Sequence, residues 1–369
     1  MIAALVKFEL LAVGMVCLAG LARADVASFQ GLGDLPGGPI WSDASDISAD
    51  GSTVLGRSDA AGGLFTYVWT RQAGMQPIAT SEQHGWAISG DGSVVAGGGF
   101  VDGHMQAFRW TAETGVLGLG DLPGGGFSST ARGISDGGQV IVGESVSDNG
   151  WEAFRWTEDG GMVGLGSLPG PWFESHAYDA SADGSVIVGE SRSEFGTEGF
   201  RWTETEGMVG LGFLHGEYGK SQAFGVSADG TVIVGLSWNS MSDEEPVRWT
   251  AETGWVGLGS LLPRVNGAAY GVSADGSRIV GRSGNDAFIW DAVNGMRNFA
   301  DVLTDEFGLD LTGWHLGNAV AISSDSCTIA GSGSHDGDVE AWVAVIPEPA
   351  SLTALACAGL LAMRRRACR

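Results

Sequence analysis

Large aromatic residues with polar neighbours are the side chains of this sequence that are best suited to binding a ligand. Seven of them stand in segments of variable length: Trp41, Phe127, Trp172, Phe173, Tyr218, Trp238 and Trp314. Glu174, His176 and His315 adjoin them. Aromatic rings can stack on the apolar faces of sugars or anchor a protein partner, while polar groups bond to hydroxyls. We predict that these ten residues form one ligand-binding face; the alternative is that the rings are merely exposed or pack within their own loops.

Signals for catalysis or metal binding are weaker. Asp43, Asp46 and Asp50 could offer oxygen atoms to calcium, but they lack the spacing of a calcium-binding loop, which favours an acidic solvated surface. The six histidines form no H-E-x-x-H pair, although His84 and His176 occupy the same place in a repeated motif. A glycosidase needs a positioned pair of carboxylates, and no sequence feature pairs two. We therefore predict a protein that is not an enzyme, with no catalytic residues, no metal and no cofactor.

The elements that must position these side chains repeat along the chain. A ten-residue motif with an Asp-Gly turn occurs seven times, starting at Ile47, Ile88, Ile134, Ala180, Val226, Val272 and Ile322. Successive copies are 41, 46, 46, 46, 46 and 50 residues apart. A second motif, Ala-Phe-Arg-Trp-Thr, follows in phase, with its tryptophan at Trp69, Trp110, Trp156, Trp202, Trp249 and Trp290. A third, Gly-Leu-Gly-x-Leu, follows the first six copies and has one orphan copy at Phe29, before the first Asp-Gly turn.

Each copy contains four short strand patterns, rich in Val, Ile, Phe and Trp and bounded by Gly, Asp and Ser. Four strands in each of seven such copies are typical of a β-propeller. The orphan motif would supply the missing fourth strand of the last blade. Residues 27–346 are therefore predicted to form an all-β, seven-bladed β-propeller closed by an N-terminal strand. The Phe and Trp of the second motif fall on one face of a strand and are expected to pack one blade on the next.

The Asp-Gly pair invites a second interpretation, because sialidases carry a related motif, the Asp-box. Here Asp and Gly are adjacent and the motif lacks the final tryptophan of that box. A two-residue hairpin turn, in which glycine accepts a positive φ, is the preferred interpretation.

The composition argues against nucleic-acid binding. The formal net charge is −25, and the chain contains two lysines, Lys7 and Lys220. A nucleic-acid-binding protein needs a basic surface to neutralise phosphates. Of the four cysteines, Cys327 is the one within the predicted propeller, so no intramolecular disulfide is expected to hold it.

Both chain ends carry the features of export signals. Residues 1–24 combine Lys7, an apolar run and a small-residue cleavage site ending at Ala24, as in a signal peptide that signal peptidase removes. Near the other end, the apolar residues 350–363 precede Arg364, Arg365 and Arg366. A helix of this length spans about 21 Å, less than the roughly 30 Å of a hydrocarbon core. We expect a short transmembrane helix that anchors weakly, with the Arg cluster on the cytoplasmic side.

Two of these patterns resemble known families. Pro347, Glu348 and Pro349, followed by the apolar segment and the Arg cluster, resemble the PEP-CTERM sorting signal over residues 347–369. That resemblance implies recognition and processing by an exosortase; an ordinary tail anchor is the alternative. Across residues 29–344, the motifs Gly-Leu-Gly-Asp-Leu-Pro-Gly-Gly, Ala-x-x-Ile-Ser-x-Asp-Gly and Ala-Phe-Arg-Trp-Thr resemble the HAF family of extracellular repeats. This second resemblance implies an exported repeat protein and supplies no catalytic residues.

Together these features predict a propeller that is transiently anchored in the membrane and then resides at the cell surface or in the extracellular matrix. There it would bind or organise extracellular material such as exopolysaccharide. The alternatives are a glycosidase or lyase that uses carboxylates on the loop face, and a purely structural surface protein. An acidic chain repels an anionic glycan at low salt, so a neutral polysaccharide, or an anionic one bridged by divalent cations, is the expected ligand.

Overall fold

The computed structural model describes residues 26–80, 82–241 and 243–347. The predicted signal peptide at 1–24, the predicted membrane segment at 350–363, and Glu348, Pro349, Arg364, Arg365 and Arg366 of the sorting motif lie outside these residues. Within the described ranges, no helix has both the length and the apolar character needed to cross a membrane. The chain divides into two units, Phe29–Ala344 on one hand and the chain ends, Met1–Ser28 with Val345–Arg369, on the other.

Described β-strands follow one another in groups of four, which we call quartets. Quartet 1 consists of β2 (Ser42–Ile47), β3 (Thr53–Ala60), β4 (Gly63–Thr70) and β5 (Gly74–Pro77). Quartet 2 consists of β6 (Gln83–Ile88), β7 (Val94–Val101), β8 (His104–Thr111) and β9 (Gly115–Gly120). Quartet 3 consists of β10 (Gly124–Ile134), β11 (Ile141–Ser147), β12 (Gly150–Thr157) and β13 (Gly161–Gly164). Quartet 4 consists of β14 (Ser175–Ala180), β15 (Val186–Ser193), β16 (Gly196–Thr203) and β17 (Gly207–Gly210).

The remaining quartets continue the pattern to the C-terminal end of the described chain. Quartet 5 consists of β18 (Gly219–Val226), β19 (Ile233–Trp238), β20 (Glu244–Thr250) and β21 (Gly254–Gly257). Quartet 6 consists of β22 (Gly267–Val272), β23 (Arg278–Ser283), β24 (Asp286–Asp291) and β25 (Gly295–Asn298). A short helix, α1 (Phe299–Asp301), then continues into a π-helical turn, Val302–Glu306. Quartet 7 combines β26 (Trp314–Ile322), β27 (Thr328–His335) and β28 (Asp338–Val345) with the N-terminal β1 (Ser28–Gly31).

Strand pairing follows chain order inside each quartet. In quartets 1–6, consecutive strands pair antiparallel. In quartet 7 the order is β1-β28-β27-β26, so the N-terminal strand lies beside the C-terminal one, as the orphan motif at Phe29 predicts. Short parallel contacts also join β8 to β10 and β16 to β18.

The Asp-Gly motif forms the first hairpin of a quartet, and its side chains explain the shape. In quartet 4 the main-chain N–H of Ser181 donates to the carbonyl oxygen of Val186 at 2.9 Å, closing a four-residue loop. Asp183 Oδ1 accepts hydrogen bonds from Ser181 Oγ and Ser185 N, both at 2.9 Å. Gly184 takes a φ of 68°. The hairpin is therefore wider than the two-residue turn predicted, because the aspartate satisfies donors inside a longer loop.

A β-bulge interrupts the first strand of every quartet, and it explains a recurring glycine. In quartet 4, Ala177 pairs with Gly189 and Asp179 with Val188, which leaves Tyr178 unpaired. A Cβ atom on Gly189 would lie 2.0 Å from the carbonyl oxygen of His176 and 2.8 Å from the ring of Phe200. No other residue fits there without moving the backbone. The same close approach recurs at Gly56, Gly97, Gly143, Gly235, Gly281 and Gly331.

Apolar clusters fill the space between successive quartets. Phe154 and Trp156 of quartet 3 pack with Ala87 and Val94 of quartet 2, which confirms the predicted role of the second motif. Phe200 of quartet 4 packs in the same way on quartet 3. Burying an aromatic or branched side chain of this size stabilises a fold by about 1.5–3 kcal/mol. These interfaces therefore hold the quartets together.

Quartets 7 and 1 meet through the same kind of contact, although they come from opposite ends of the chain. Val54 and Tyr67 of quartet 1 share a buried cluster with Ala330 and Ala341 of quartet 7. The main-chain N–H of Leu32, just after β1, donates to the carbonyl oxygen of Ala341 at 2.9 Å. The two ends of the repeat array are thus packed on each other.

Candidate ligand-binding channel

A cavity of about 640 Å³ lies between the first strands of the quartets. Its lining includes residues of β2, β6, β10, β14, β18, β22 and β26, so every quartet contributes to it. Ligand-binding cavities in proteins commonly enclose about 300–1,000 Å³, so this one is large enough for a small ligand or a short oligomer. We call it the channel.

The β-bulges supply the most varied side chains of the channel. A bulge leaves one residue out of the strand pairing and re-aims its side chain. The seven bulge residues all line the channel: Ser45, Trp86, Arg132, Tyr178, Phe224, Tyr270 and Val320. The same backbone bulge therefore presents six different residue types across the seven quartets.

Three consecutive bulge residues form an aromatic arc, defined as Tyr178, Phe224 and Tyr270. The ring centroids of Tyr178 and Phe224 are 5.5 Å apart, and those of Phe224 and Tyr270 are 5.8 Å apart. Successive rings are tilted by 46° and 44°, so the arc bends around the channel wall. All three are half-buried. The arc thus offers an apolar, curved surface to a ligand.

Charged and aromatic groups alternate on another part of the wall. The guanidinium of Arg57 lies 4.8 Å from the ring centroid of Trp86, and that of Arg132 lies 5.6 Å from it. Arg57 forms an ion pair with Asp43, and Arg132 forms a bidentate one with Glu144, with its shortest contact at 2.8 Å. Cation–π contacts and ion pairs together hold this wall in one arrangement.

His176 joins the same network from β14. Its Nδ1 lies 3.8 Å from Glu144 and its Nε2 lies 3.4 Å from Glu174, which also contacts Arg192 at 3.3 Å. Burial alone would lower the pKa of His176, but the neighbouring Glu144 carboxylate outweighs it and raises that pKa. Burial likewise opposes ionisation of Glu144, yet His176 and Arg132 hold its pKa below the usual range. Both side chains are therefore placed to form an ion pair when the imidazole of His176 is protonated.

Tyr178 connects the aromatic arc to a second carboxylate. Its hydroxyl donates to Glu190 at 2.6 Å, and Gln222 Nε2 donates to the other oxygen of the same carboxylate at 2.6 Å. Burial, with the charge of Glu190, raises the pKa of Tyr178 well above its ordinary value, so the phenol stays protonated. A side pocket of about 250 Å³, lined by residues that include Glu174, His176, Glu190 and Gln222, adjoins this network.

Main-chain hydrogen bonds connect successive quartets at the hairpin end of the channel. Their donors and acceptors are Ala49, Gly90, Asp136, Ala182, Ala228 and Ala274, joined in that order at 2.9–3.2 Å. Ser324 of quartet 7 donates to the carbonyl oxygen of Ala49 at 2.8 Å. All seven residues line the channel, and apart from Asp136 they have small side chains. In quartet 3 the Asp-Gly pair is shifted by one residue, which puts Asp136 where other copies have a small residue.

Two further aspartates link neighbouring quartets beside the bulges. Asp46 accepts hydrogen bonds from the main-chain N–H groups of Ile47 at 2.7 Å and Ile88 at 2.9 Å. Asp179 accepts equivalent bonds from Ala180 at 2.8 Å and Val226 at 2.9 Å. Burial raises the pKa of each carboxyl group to about 7 despite these donors. Both residues line the channel, and no arginine or lysine contacts them among the described ion pairs.

The described residues contain no group of three or more His, Cys, Asp or Glu arranged to hold a metal ion. His84 and His176 do occupy equivalent places in β6 and β14, but their surroundings differ. His176 has the carboxylate partners described above, whereas the Nδ1 atom of His84 is buried without a hydrogen-bond partner. Burial and the nearby Arg57 lower the pKa of His84. Equivalent position therefore does not give these two histidines a common role.

The aromatic residues predicted to form a loop face divide into two classes. Phe127, Trp172, Tyr218 and Trp238 are exposed, at 69%, 66%, 69% and 40%. Trp41, Phe173 and Trp314 are half-buried. Of the polar residues in that set, Glu174 and His176 lie in the network at the side pocket, while the exposed His315 contacts Asp286 at 3.1 Å.

Contacts with other side chains account for several of these rings. Trp314 stacks on His335 with centroids 4.4 Å apart and meets Phe29 edge-on at 5.0 Å. Phe127 packs on His104 at 4.4 Å, and Tyr218 on Phe195 at 5.5 Å. Across the described ranges, each ring contact made by the predicted aromatic residues is to a residue outside that set. Within the described ranges, these aromatic residues therefore stack on other side chains and not on one another.

The channel side chains are the functional candidates that the sequence pattern could have revealed. The first variable position of the motif Ala-x-x-Ile-Ser is the bulge residue, and it holds Ser, Trp, Arg, Tyr, Phe, Tyr and Val in the seven copies. A position that varies this widely between near-identical neighbours has no constant packing role. This position lies on an interior strand, and buried strand residues are ordinarily interpreted as core. For this reason it is not among the site residues predicted from the sequence.

The chain matches no protein-family model and no curated protein. Two solved structures resemble it over most of its length. An oligogalacturonate lyase in complex with manganese is 13% identical, with a TM-score of 0.57, over 88% of this chain and 97% of that one. The oligogalacturonate lyase of Vibrio parahaemolyticus is 12% identical, with a TM-score of 0.56, over 89% of this chain and 99% of that one.

At this level of identity the similarity concerns the fold and not the reaction. The all-β architecture, the repeated quartets and these two structural neighbours agree. The chain has a β-propeller fold.

Proposed function

We propose that this protein is an exported β-propeller of seven blades, closed by its N-terminal strand, that binds extracellular material through its channel. The material is a glycan, for example a polysaccharide outside the cell that makes the protein. Each quartet corresponds to one blade in this proposal. The protein acts by binding and not by catalysis.

Ring closure is supported by contacts between the first and last quartets. β1 lies beside β28, and Ser324 bonds to Ala49 in the same manner as the other quartets bond to their neighbours. The turn glycines make equivalent contacts. Gly92 packs on Thr53 of the preceding quartet, and Gly51 packs in the same way on Thr328 of quartet 7. Closure removes the open sheet edges that otherwise invite aggregation.

The observation that carries the binding proposal is the ring of bulge residues. It places the aromatic arc, Trp86 and Arg132 around one cavity, with Ser45 and Asn318 as neutral hydrogen-bonding neighbours. Aromatic faces beside hydrogen-bonding groups suit sugar rings, which have apolar C–H faces and hydroxyl edges. Packing alone would not need six different residue types at seven equivalent positions.

Binding is favoured over catalysis because the two glutamates beside the arc are already engaged, and Asp46 and Asp179 each accept two main-chain hydrogen bonds. Glu144 is held by Arg132 and His176, and Glu190 by Tyr178 and Gln222. A general acid and base for glycoside cleavage must be free to exchange protons with the substrate.

Export and sorting are supported by the two chain ends. The signal-peptide pattern at residues 1–24 directs the chain out of the cytoplasm, and the PEP-CTERM resemblance at residues 347–369 would direct it to an exosortase. Changing Pro347, Glu348 and Pro349 to alanine should leave the protein unprocessed in the membrane of a host that has an exosortase. Normal processing of that variant would support a simple tail anchor instead.

The binding proposal is tested by calorimetric titration of the purified protein with neutral oligosaccharides and with exopolysaccharide fragments from the producing cells. Phe224→Ala should weaken binding at least tenfold, because it removes the centre of the aromatic arc. Trp172→Ala is the matched control: it removes an exposed ring outside the channel and should leave affinity unchanged. Release of new reducing or unsaturated ends during incubation would indicate an enzyme. Equal losses in both variants would move the site to the loop face.

A further inference from the structure

We infer that the channel selects ligands that carry an ammonium group, so that its preferred glycan contains a cationic amino sugar. This inference rests on the proposed function and specifies the chemistry of its ligand. Two features of the channel carry it, the aromatic arc and the distribution of charge.

The three rings of the aromatic arc line the cavity next to one another. Aromatic faces carry partial negative charge and attract cations, most strongly where water is excluded. Adjacent centroids 5.5 and 5.8 Å apart, with tilts of 46° and 44°, let a single cationic group contact more than one ring. The hydrogen bond from Tyr178 to Glu190, at 2.6 Å, adds electron density to the first ring. The arc is thus suited to a cation as well as to an apolar sugar face.

Acidic side chains outnumber basic ones in the channel lining. Four aspartates, Asp43, Asp46, Asp136 and Asp179, face two arginines, Arg57 and Arg132. Arg57 is paired with Asp43, and Arg132 with Glu144. Neither guanidinium is left to receive an anionic sugar, while Asp46, Asp136 and Asp179 have no cationic partner among the described ion pairs.

This charge distribution separates three classes of glycan. A uronate polymer would bring its carboxylates against uncompensated aspartates and is disfavoured. A neutral or N-acetylated sugar could use the hydrogen bonds and the apolar arc but not the charge. A sugar with an ammonium group could use all three, because the cation meets both aromatic faces and carboxylates. Complementary potential of this kind chiefly provides selectivity between ligands.

The test compares trisaccharides of one backbone that differ only at the nitrogen. We would titrate the full-length protein at pH 7.5 with β-1,4-linked glucosamine trimers that are either N-trimethylated, and so permanently cationic, or N-acetylated. The cationic trimer should bind about tenfold more tightly, the size of effect expected from cation–π contacts in a desolvated site. Raising the ionic strength should reduce that preference.

Variants then separate the aromatic contribution from general binding. Phe224→Leu keeps an apolar side chain but removes the ring face, so it should lose most of the preference for the cationic trimer and retain binding of the acetylated one. Tyr270→Phe keeps the ring and should retain the preference. Melting curves of both variants establish that the fold is intact, and Tyr270→Leu replaces Phe224→Leu if that variant does not fold.

The outcomes distinguish this inference from the proposed function. If the acetylated trimer binds as tightly as the cationic one, or more tightly, the ammonium preference is wrong while glycan binding by the channel stands. If the preference survives both Phe224→Leu and Tyr270→Leu, the aromatic arc is not its source and the inference also fails. If neither trimer nor any producer polysaccharide binds, both proposals fail together.

Discussion

The hydroxyl oxygen of Ser42 accepts a hydrogen bond from the main-chain N–H of Ala341 at 3.0 Å, although 299 residues separate them. The same hydroxyl donates to the carbonyl oxygen of Gly33 at 2.7 Å. Ser221 makes the same pair of bonds between quartets 5 and 4, accepting from Gly199 at 2.9 Å and donating to Gly212 at 2.7 Å. The contact between the chain ends is therefore built like an internal contact between consecutive quartets.

Ser42→Ala should lower the free energy of unfolding by about 1–3 kcal/mol, because it leaves the buried N–H of Ala341 without its acceptor. Denaturant titration measures the change. Ser221→Ala is the matched control and should cost a similar amount, since it removes the equivalent two bonds elsewhere in the array. If Ser42→Ala left the free energy of unfolding unchanged while Ser221→Ala lowered it, the contact between the chain ends would not contribute to stability in solution.

Asp46 and Asp179 should make the protein less stable as the pH rises from about 4 to 7. Their carboxyl groups have a pKa of about 7 in the folded chain and 3.8 as the reference value. The folded state therefore binds these protons more tightly than the unfolded state, and this contribution to stability is lost as the pH rises through 7. Melting temperatures measured from pH 4 to 8 should show the decline.

Replacing both aspartates with alanine should flatten that pH profile. Alanine already occupies the equivalent position in two other copies, as Ala87 and Ala321, so the substitution suits the backbone. The double variant should be as stable as the parent protein or more stable at pH 8, where the parent must keep two buried charges. A profile that is unchanged by the double substitution would assign the pH dependence to other groups.

Ser326→Gly should stabilise the protein by about 1 kcal/mol. Ser326 has a φ of 67°, close to the 67–73° of the turn glycines Gly51, Gly92, Gly138, Gly184, Gly230 and Gly276. In this copy of the turn, a residue with a side chain adopts the left-handed backbone conformation that glycine adopts in the other six copies. The reverse change, Gly230→Ser, should destabilise, because a Cβ atom there would meet Val186 at 2.5 Å. Thermal unfolding of the two variants should shift in opposite directions; shifts of the same sign would contradict this account.

Trp172→Ala and Trp314→Ala should separate in stability. Trp172 is 66% exposed, so its loss should change the melting temperature little. Trp314 packs on both His335 and Phe29, and the latter belongs to β1, so Trp314→Ala should destabilise quartet 7 by about 1–3 kcal/mol. Differential scanning calorimetry of the single variants tests this. Equal, small effects would show that the Trp314 contacts contribute little.

The sequence predicted the strands well because their signals are local and repeated. The phase of the second motif located the buried Phe154 and Trp156, and the orphan motif at Phe29 indicated the strand that pairs with β28. The site was harder to predict. Whether Tyr178 faces a core or a channel depends on the bulge beside it, which no single residue encodes. The sequence signal for that bulge is the glycine on the neighbouring strand, Gly189, whose meaning appears only once the two strands are paired.

The contacts of the loop aromatics were hard to predict for a related reason. The variable length of a segment indicates that its residues have no packing role shared by all copies. It does not indicate which side chains a ring in that segment will contact. Trp314 found partners in β1 and β27, from opposite ends of the chain, and Phe127 found His104 in the preceding quartet. Such long-range contacts follow from how the quartets are arranged and could not be inferred from the loops themselves.

The bulge has a consequence for how such a protein can evolve. The bulge residue of each copy lines the channel, while other residues of the copy pack on the neighbouring copies. A single codon change at Ser45 would therefore alter the channel wall with little effect on the packing between copies. Shuffling copies among related genes would exchange whole segments of the channel wall in the same way. The bulge residues of the seven copies can thus be substituted one at a time, each without changing the others.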